Sequence, residues 1–114
     1  MTAESWILPE ELRELAESGE AGLVEEVLAV FLTDTAERFA AMQQASAAMD
    51  RETLRKQGHA LKGSSAQVGA MRLADLCKTL EATAPTAAPG DLAAVVAEIG
   101  REFGKVREKI SEAR

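Results

Sequence analysis

Apolar residues recur at helical spacing along most of the chain, and this periodicity constrains the fold more than any other feature. The longest uninterrupted stripe lies near the C-terminus and comprises Leu92, Val95, Val96, Ile99, Phe103, Val106 and Ile110. The 22 alanines and only 3 prolines also favour helices, because alanine loses no side-chain entropy when a helix forms. No segment has the alternating pattern of a strand. We therefore predict an all-α protein.

The N-terminal half of the chain divides into a short helix and a long one. Pro9 suits the first position of the short helix, and Ser18, Gly19 and Gly22 predict a break after it. The long helix is expected to run to about Ala48. Its apolar positions are Val24, Val27, Leu28, Phe31, Phe39, Met42 and Met49.

Three more helices are predicted in the C-terminal half. Asp50 can cap the third helix by accepting backbone N–H groups, and Gly69 indicates its end. The fourth helix is expected to end before Thr83, because a loop with two prolines covers residues 84–90. Asp91 is expected to cap the last helix. Amphipathic helices with short connections favour an antiparallel four-helix bundle with up-down-up-down order, preceded here by a short additional N-terminal helix.

The composition of this 114-residue chain excludes several classes of protein. Its length suits a single domain over residues 1–114. The net charge of −6 argues against a nucleic-acid partner, and no apolar stretch is long enough to span a membrane. One cysteine, Cys77, excludes an intramolecular disulfide, and one cysteine with one histidine cannot complete a zinc site. Without a signal-peptide pattern at the N-terminus, we expect a cytoplasmic protein.

His59, the only histidine, lies in the middle of the predicted third helix and points away from the core. On a wheel of about 100° per residue, His59 lies about 140° from Leu54. Three positions lie within about 40° of Leu54 and define the buried face: Leu61, Ser65 and Val68. The imidazole is therefore predicted to be exposed.

Basic residues surround His59 on this wheel. Arg55 and Lys62 fall within about 60° of it, and Lys56 lies about 60° to its other side. From Arg51 to Lys62 the chain has four basic residues and one acid, so the segment carries a local charge of +3. In a chain whose net charge is −6, this segment indicates an anion site.

An exposed imidazole beside cations is suited to accept a phosphoryl group. A neutral imidazole is nucleophilic, and its ordinary pKa of about 6.5 leaves most of it neutral at pH 7. Lys62 disfavours the imidazolium and can pair with phosphoryl oxygens once they are attached. Gly63 costs about 1 kcal/mol relative to alanine in mid-helix, so we expect its missing side chain to admit a partner. The small side chain of Ala66 is expected to leave the neighbouring surface open as well.

The segment HALKGSSAQVGA over residues 59–70, followed by Leu73, carries a specific motif. It resembles the H-x-L-K-G-S-S-x-x-[LV]-G-A-x-x-L motif of histidine-containing phosphotransfer (HPt) domains. The resemblance implies a bacterial phosphoprotein of two-component signalling, in which His59 accepts the phosphoryl group at Nε2. It also implies that Lys62 steadies this group, that Gly63 keeps the docking surface open, and that the four-helix bundle is the family's fold.

The same resemblance implies the partners of the chain. Such domains carry phosphoryl groups between aspartates of response-regulator receiver domains, often from a hybrid sensor histidine kinase to a downstream regulator. We expect a monomeric phosphocarrier without an ATP site or cofactor, with Mg²⁺ supplied on the receiver partner. The predicted partner-binding residues are Arg55, Lys56, Ala66 and Gln67. For Arg55 and Lys56, solvated helix charges are an equal alternative.

Other residues of these segments are predicted to serve the fold. Gly58 lies about 40° from Leu54, which favours close helix packing. Cys77 lies on an apolar stripe and is expected to be a buried small hydrophobe. Trp6 is expected to cover one end of the bundle, and Ser64 and Ser65 to lie on the inward or flanking side of their helix.

Two other functions remain alternatives. A non-catalytic helical adaptor would bind a signalling partner through the His59 face without accepting phosphate. An enzyme with His59 as a general base is a weaker alternative, because the sequence offers no recognised Ser, Cys or Asp partner and no group that orients the ring.

Overall fold

Short connections join all the helices of the protein. The structure, a computed structural model, describes residues 4–113, which contain no β-strand. The helices are α1 (Glu10–Leu15), α2 (Ala21–Ala47), α3 (Arg51–Val68), α4 (Met71–Thr83) and α5 (Pro89–Glu112). A π-helical turn over Ala16–Glu20 connects α1 to α2, and the chain bends there at Gly19, whose φ is 102°.

Helices α2 to α5 pack as a four-helix bundle. α2 packs against α3 and α5, and α4 packs against the same two helices. The connections of two to five residues reverse the chain at each step, so neighbouring helices are antiparallel. The predicted all-α bundle with a short leading helix is therefore confirmed. Within the described chain, no helix has the length and apolar character needed to cross a bilayer.

The core agrees with the predicted apolar stripes at nearly every position. The predicted inner face of α3 is buried as expected, and it consists of Leu54, Leu61, Ser65 and Val68. α5 buries six of the seven residues of its stripe, and Val95 packs at the edge. Val27 of α2 is exposed, because the apolar face of that helix is wider than the core it covers.

The helix ends show where local signals succeed and where they fail. Asp50 caps α3 as predicted, since its carboxylate accepts the Thr53 N–H at 3.1 Å. The prediction that Asp91 caps α5 is wrong: the helix begins two residues earlier, at Pro89, because proline lacks an N–H and suits the first helical position. α4 includes Thr83, one residue beyond its predicted end, and Ala84 keeps helical φ and ψ angles of −51° and −40° although Pro85 follows it.

The segment before α1 is fastened to the end of α3. The indole N–H of Trp6 donates to the Val68 carbonyl at 2.8 Å, and the Ile7 N–H donates to the Gly69 carbonyl at 3.3 Å. Gly69 has a φ of 89°, and a Cβ at this position would overlap the Ile7 carbonyl oxygen. Trp6 thus packs at the end of the bundle as predicted, and Gly69 both ends α3 and admits the N-terminal segment.

Gly58 brings α3 and α4 into close contact. A Cβ built at Gly58 would lie 3.0 Å from the Cys77 carbonyl oxygen and 3.2 Å from the Glu81 nitrogen. The predicted role of Gly58 in helix packing is confirmed. The α4 backbone therefore approaches α3 at the position directly before His59.

A pair of glycine substitutions on α3 tests this close approach. We expect Gly58→Ala to unfold at lower urea than Gly63→Ala, with a difference in unfolding free energy of about 1–3 kcal/mol from overpacking. The two variants gain the same helix propensity, and nothing lies within 4 Å of a Cβ at Gly63. Equal unfolding free energies for the two variants would contradict the packing described here.

Candidate functional site

The imidazole of His59 lies on the outer face of α3. Its side chain is 65% exposed, whereas Leu54 and Leu61 on the opposite face are fully buried. The helical periodicity of α3 therefore places the ring in solvent, as the sequence predicts. Lys62, one turn further along, is half-buried beside it.

Glu81 of α4 contacts both His59 and Lys62. Its Oε2 lies 2.8 Å from Nδ1 of His59, and its Oε1 lies 2.6 Å from Nζ of Lys62. The Glu81 side chain is 22% exposed, whereas the His59 side chain that it contacts is 65% exposed. One carboxylate thus holds two side chains of α3, and it occupies only one of the two ring nitrogens of His59.

The protonation of this cluster follows from its hydrogen bonds. The hydrogen bond from Lys62 and then that from His59 lower the pKa of Glu81, so the carboxylate is ionised at neutral pH. An ionised carboxylate can only accept hydrogen bonds. A neutral His59 ring therefore donates from Nδ1 and carries its lone pair on Nε2, on the other side of the ring.

Glu81 is the site residue that the sequence analysis missed. The expectation that no group orients His59 is wrong, because packing of α4 on α3 brings in a residue 22 positions away. A weak signal was present: Glu81 continues the i, i+4, i+8 series of Leu73 and Cys77, so an acid follows two core positions. Such a residue lies at the edge of the core, next to the neighbouring helix.

The local charge of +3 also overstates the positive field at the site. Arg51 donates to the carbonyls of Ala84 and Ala87 at 2.9 and 2.8 Å, so it holds the connection between α4 and α5. Arg55 pairs with Glu52 at 2.7 Å. Glu81 offsets the charge of Lys62, so most of the basic charge near His59 is paired, and the anion site stays a prediction.

The other predicted residues lie on or beside the His59 face. Lys56, Gly63, Ala66 and Gln67 are exposed, and Arg55 is half-buried. Ser65 is buried and Ser64 flanks it, as predicted. Their roles in partner binding stay predictions, but the structure does bring His59, Lys62 and Gly63 together within about one helical turn.

Cys77 has no part in this exposed chemistry. Its side chain is fully buried, and burial raises the pKa of the thiol to about 12, which leaves it protonated and unreactive. In the described part of the chain, no group of three or more His, Cys, Asp or Glu side chains is arranged to hold a metal ion.

Comparison with known proteins identifies the family. The family model of the Hpt domain matches residues 26–113, about three quarters of the chain. The chain belongs to the Hpt domain family. This Hpt chain is also similar to the crystal structure of histidine-containing phosphotransfer protein B (HptB) from Pseudomonas aeruginosa PAO1. The two chains are 32% identical with a TM-score of 0.82, over 93% of this chain and 92% of that one.

The family and the structural match together support histidine phosphotransfer in a phosphorelay as the function of this Hpt chain. No curated protein sequence matches it. The resemblance of residues 59–70 to the HPt motif therefore agrees with a likeness that covers most of the chain and its fold.

The hydrogen bond between Glu81 and His59 predicts which tautomer the neutral ring adopts. In the wild type we expect the Nδ1–H form, and in Glu81→Ala a shift toward the Nε2–H form, because the acceptor at Nδ1 is lost. Two-bond ¹H–¹⁵N correlations of the ring measure the populations, and a single histidine makes the spectrum simple. Glu98→Gln on α5 is the control, and indistinguishable ring spectra for all three proteins would contradict the geometry.

Proposed function

We propose that His59 is the phosphoryl acceptor of this Hpt protein and that Nε2 is the reacting atom. The observation that carries the proposal is the asymmetry of the ring environment. Nδ1 is held by Glu81 at 2.8 Å, while the ring itself is largely exposed and its other nitrogen faces away from that carboxylate. A nucleophile fixed on one side and open on the other is prepared for attack without further reorganisation.

The transfer step balances without any acid or base from this chain. The Nε2 lone pair forms a bond to the phosphorus of an aspartyl phosphate on a receiver domain. The bond between phosphorus and the aspartyl oxygen breaks, and its electron pair stays on the released carboxylate. The reverse reaction passes the phosphoryl group to the aspartate of the next receiver.

Lys62 is proposed to steady the phosphoryl group. Its ammonium lies one turn from His59 and is held by Glu81 at 2.6 Å before the reaction. Phosphoryl oxygens at Nε2 would offer this ammonium a second charged acceptor, and such charge-assisted hydrogen bonds are short and strong. The lysine therefore contributes electrostatic stabilisation and takes no part in bond making.

The surface around His59 suits the approach of a folded domain. Nothing lies within 4 Å of a Cβ at Gly63, so the helix backbone itself is accessible next to the ring. Ala66 lies about 10 Å from His59 along α3 and lines a groove with Ile7 and Met71, which are 61% and 53% exposed. We propose that a receiver domain docks over this face, with Arg55, Lys56 and Gln67 at its rim.

The proposal also assigns what the partners supply. A sensor histidine kinase binds the nucleotide, and the receiver domain binds Mg²⁺. This chain acts as a monomeric carrier in the cytoplasm. Its own contribution is a positioned nucleophile and a neighbouring cation. Phosphoryl transfer depends mainly on such positioning and charge stabilisation, which supports a division of the site between two proteins.

Transfer from a phosphorylated receiver tests the proposal directly. Incubation with a panel of receiver domains that carry radiolabelled aspartyl phosphate should label the wild-type protein, with an acid-labile and base-stable bond. His59→Gln should take up no label, while its helical circular dichroism stays unchanged. Binding to a receiver that survives in His59→Gln, with no transfer to the wild type from any receiver, would instead indicate an adaptor.

The docking geometry predicts the effect of a long side chain at position 63. Gly63→Gln should keep the fold but slow transfer at least tenfold, equivalent to about 1.4 kcal/mol, because the side chain fills the space that the partner needs. Gly63→Ala, which adds only a methyl group, should retain most of the rate. Equal transfer rates for Gly63→Gln and the wild type would show that the partner does not approach closely at Gly63.

A further inference from the structure

The charge of the His59 ring changes when the phosphoryl group is attached. If neutral His59 carries its proton on Nδ1 and attacks through Nε2, no proton needs to leave during the transfer. The Nε2 lone pair becomes the N–P bond, so the ring gains one positive charge. The product is a phosphorylated imidazolium whose Nδ1–H points at Glu81, 2.8 Å away.

We propose that Glu81 keeps this proton on Nδ1 of the phosphorylated ring and thereby keeps the phosphoryl group transferable. The proposal rests on His59 being the acceptor, as proposed above. Glu81 is a positioning residue in this role, because it acts through the ring and does not touch the phosphoryl group.

The transferability follows from the leaving group of the onward reaction. When an aspartate oxygen attacks the phosphorus, the N–P bond breaks and its electron pair returns to Nε2. From a protonated ring the leaving group is neutral imidazole. From a ring that has lost the Nδ1 proton the leaving group is an imidazolate anion, which is far more basic and leaves more slowly. Retention of one proton therefore separates a transferable phosphoryl group from a trapped one.

Glu81 is well placed to retain that proton. Its side chain is 22% exposed, and the hydrogen bonds from Lys62 and His59 lower the pKa of its carboxyl group, which keeps it ionised throughout the neutral range. A fixed negative charge at hydrogen-bond distance favours the charged form of a neighbouring group.

The other charged groups around the ring have the opposite effect or are paired. On α3, Lys62 disfavours a second positive charge but is bound to Glu81, Arg55 is bound to Glu52, and Lys56 is exposed. On α4, Lys78 lies one turn before Glu81 and is exposed.

On α2, Arg38 donates to Gln57 of α3 at 3.1 Å and pairs with Asp34 of its own helix at 2.9 Å. Among the described residues, Glu81 is thus the carboxylate in contact with the ring, and removal of its charge should release the proton.

A pH titration of the phosphorylated ring tests the proposal without a receiver domain. ¹⁵N-labelled protein is loaded with phosphoramidate, and the ring ¹⁵N and ³¹P resonances are followed between pH 5.5 and 9. We expect the ring of Glu81→Gln to lose its proton at a pH at least about one unit lower than that of the wild type. Glu98→Gln on α5 makes the same charge change away from the site and should titrate as the wild type does.

A second comparison needs no variant. The phosphorylated wild-type protein should hold its ring proton to a higher pH in the native state than in urea, where Glu81 is separated from the ring. If Glu81→Gln fails to fold, the comparison between native and unfolded wild-type protein is sufficient to test the role of Glu81. A native midpoint equal to or below the unfolded one, or equal midpoints for the wild type and Glu81→Gln, would overturn the role of Glu81.

The pH dependence of onward transfer is a further measurement, and it would not change if Glu81 served only the fold. As the pH is raised, the rate of onward transfer from phosphorylated Glu81→Gln to a receiver should begin to fall at a lower pH than the rate of the wild type does. These outcomes differ from failure of the proposed function, in which the wild type exchanges no phosphoryl group with any receiver. A wild type that transfers normally but shows the same pH profile as Glu81→Gln would refute only the inference about Glu81.

Discussion

The close contact between α3 and α4 at Gly58 is the feature on which the site depends. The missing side chain lets the α4 backbone approach to a distance that a Cβ would obstruct, with the Glu81 nitrogen among the nearest atoms. The same approach carries the Glu81 carboxylate to His59 and Lys62. A glycine that serves helix packing therefore also determines the orientation of the imidazole in the next position.

This contact changes the electrostatic character of the site. A histidine among unpaired cations would attract phosphate but would leave its ring free to rotate and to exchange tautomers. A histidine that shares one carboxylate with a lysine has a fixed ring, a defined nucleophilic nitrogen and a cation close by. The carboxylate pairs with the lysine before any reaction, and under the proposed function these groups are positioned for charges that appear only when the phosphoryl group arrives.

Features that depend on local periodicity could be predicted from the sequence, and these include the bundle, the exposed face with His59 and Gly63, the cap at Asp50 and the close packing at Gly58. Glu81 and the contacts of Arg51 could not, because they depend on how one helix is seated against another or on a loop more than 30 residues away. The start of α5 was mispredicted for a different reason: two local signals competed there, and the fixed φ of Pro89 prevailed over the capping tendency of Asp91.

The position of the phosphoryl group on the ring tests the central geometry most directly. In ¹⁵N-labelled protein phosphorylated on His59, ¹⁵N–³¹P coupling identifies the nitrogen that carries phosphorus. The hydrogen bond from Nδ1 to Glu81 predicts coupling to Nε2, with a protonated Nδ1 in the same ring. Coupling to Nδ1 would contradict it, because the phosphoryl group would then occupy the place of the Glu81 carboxylate.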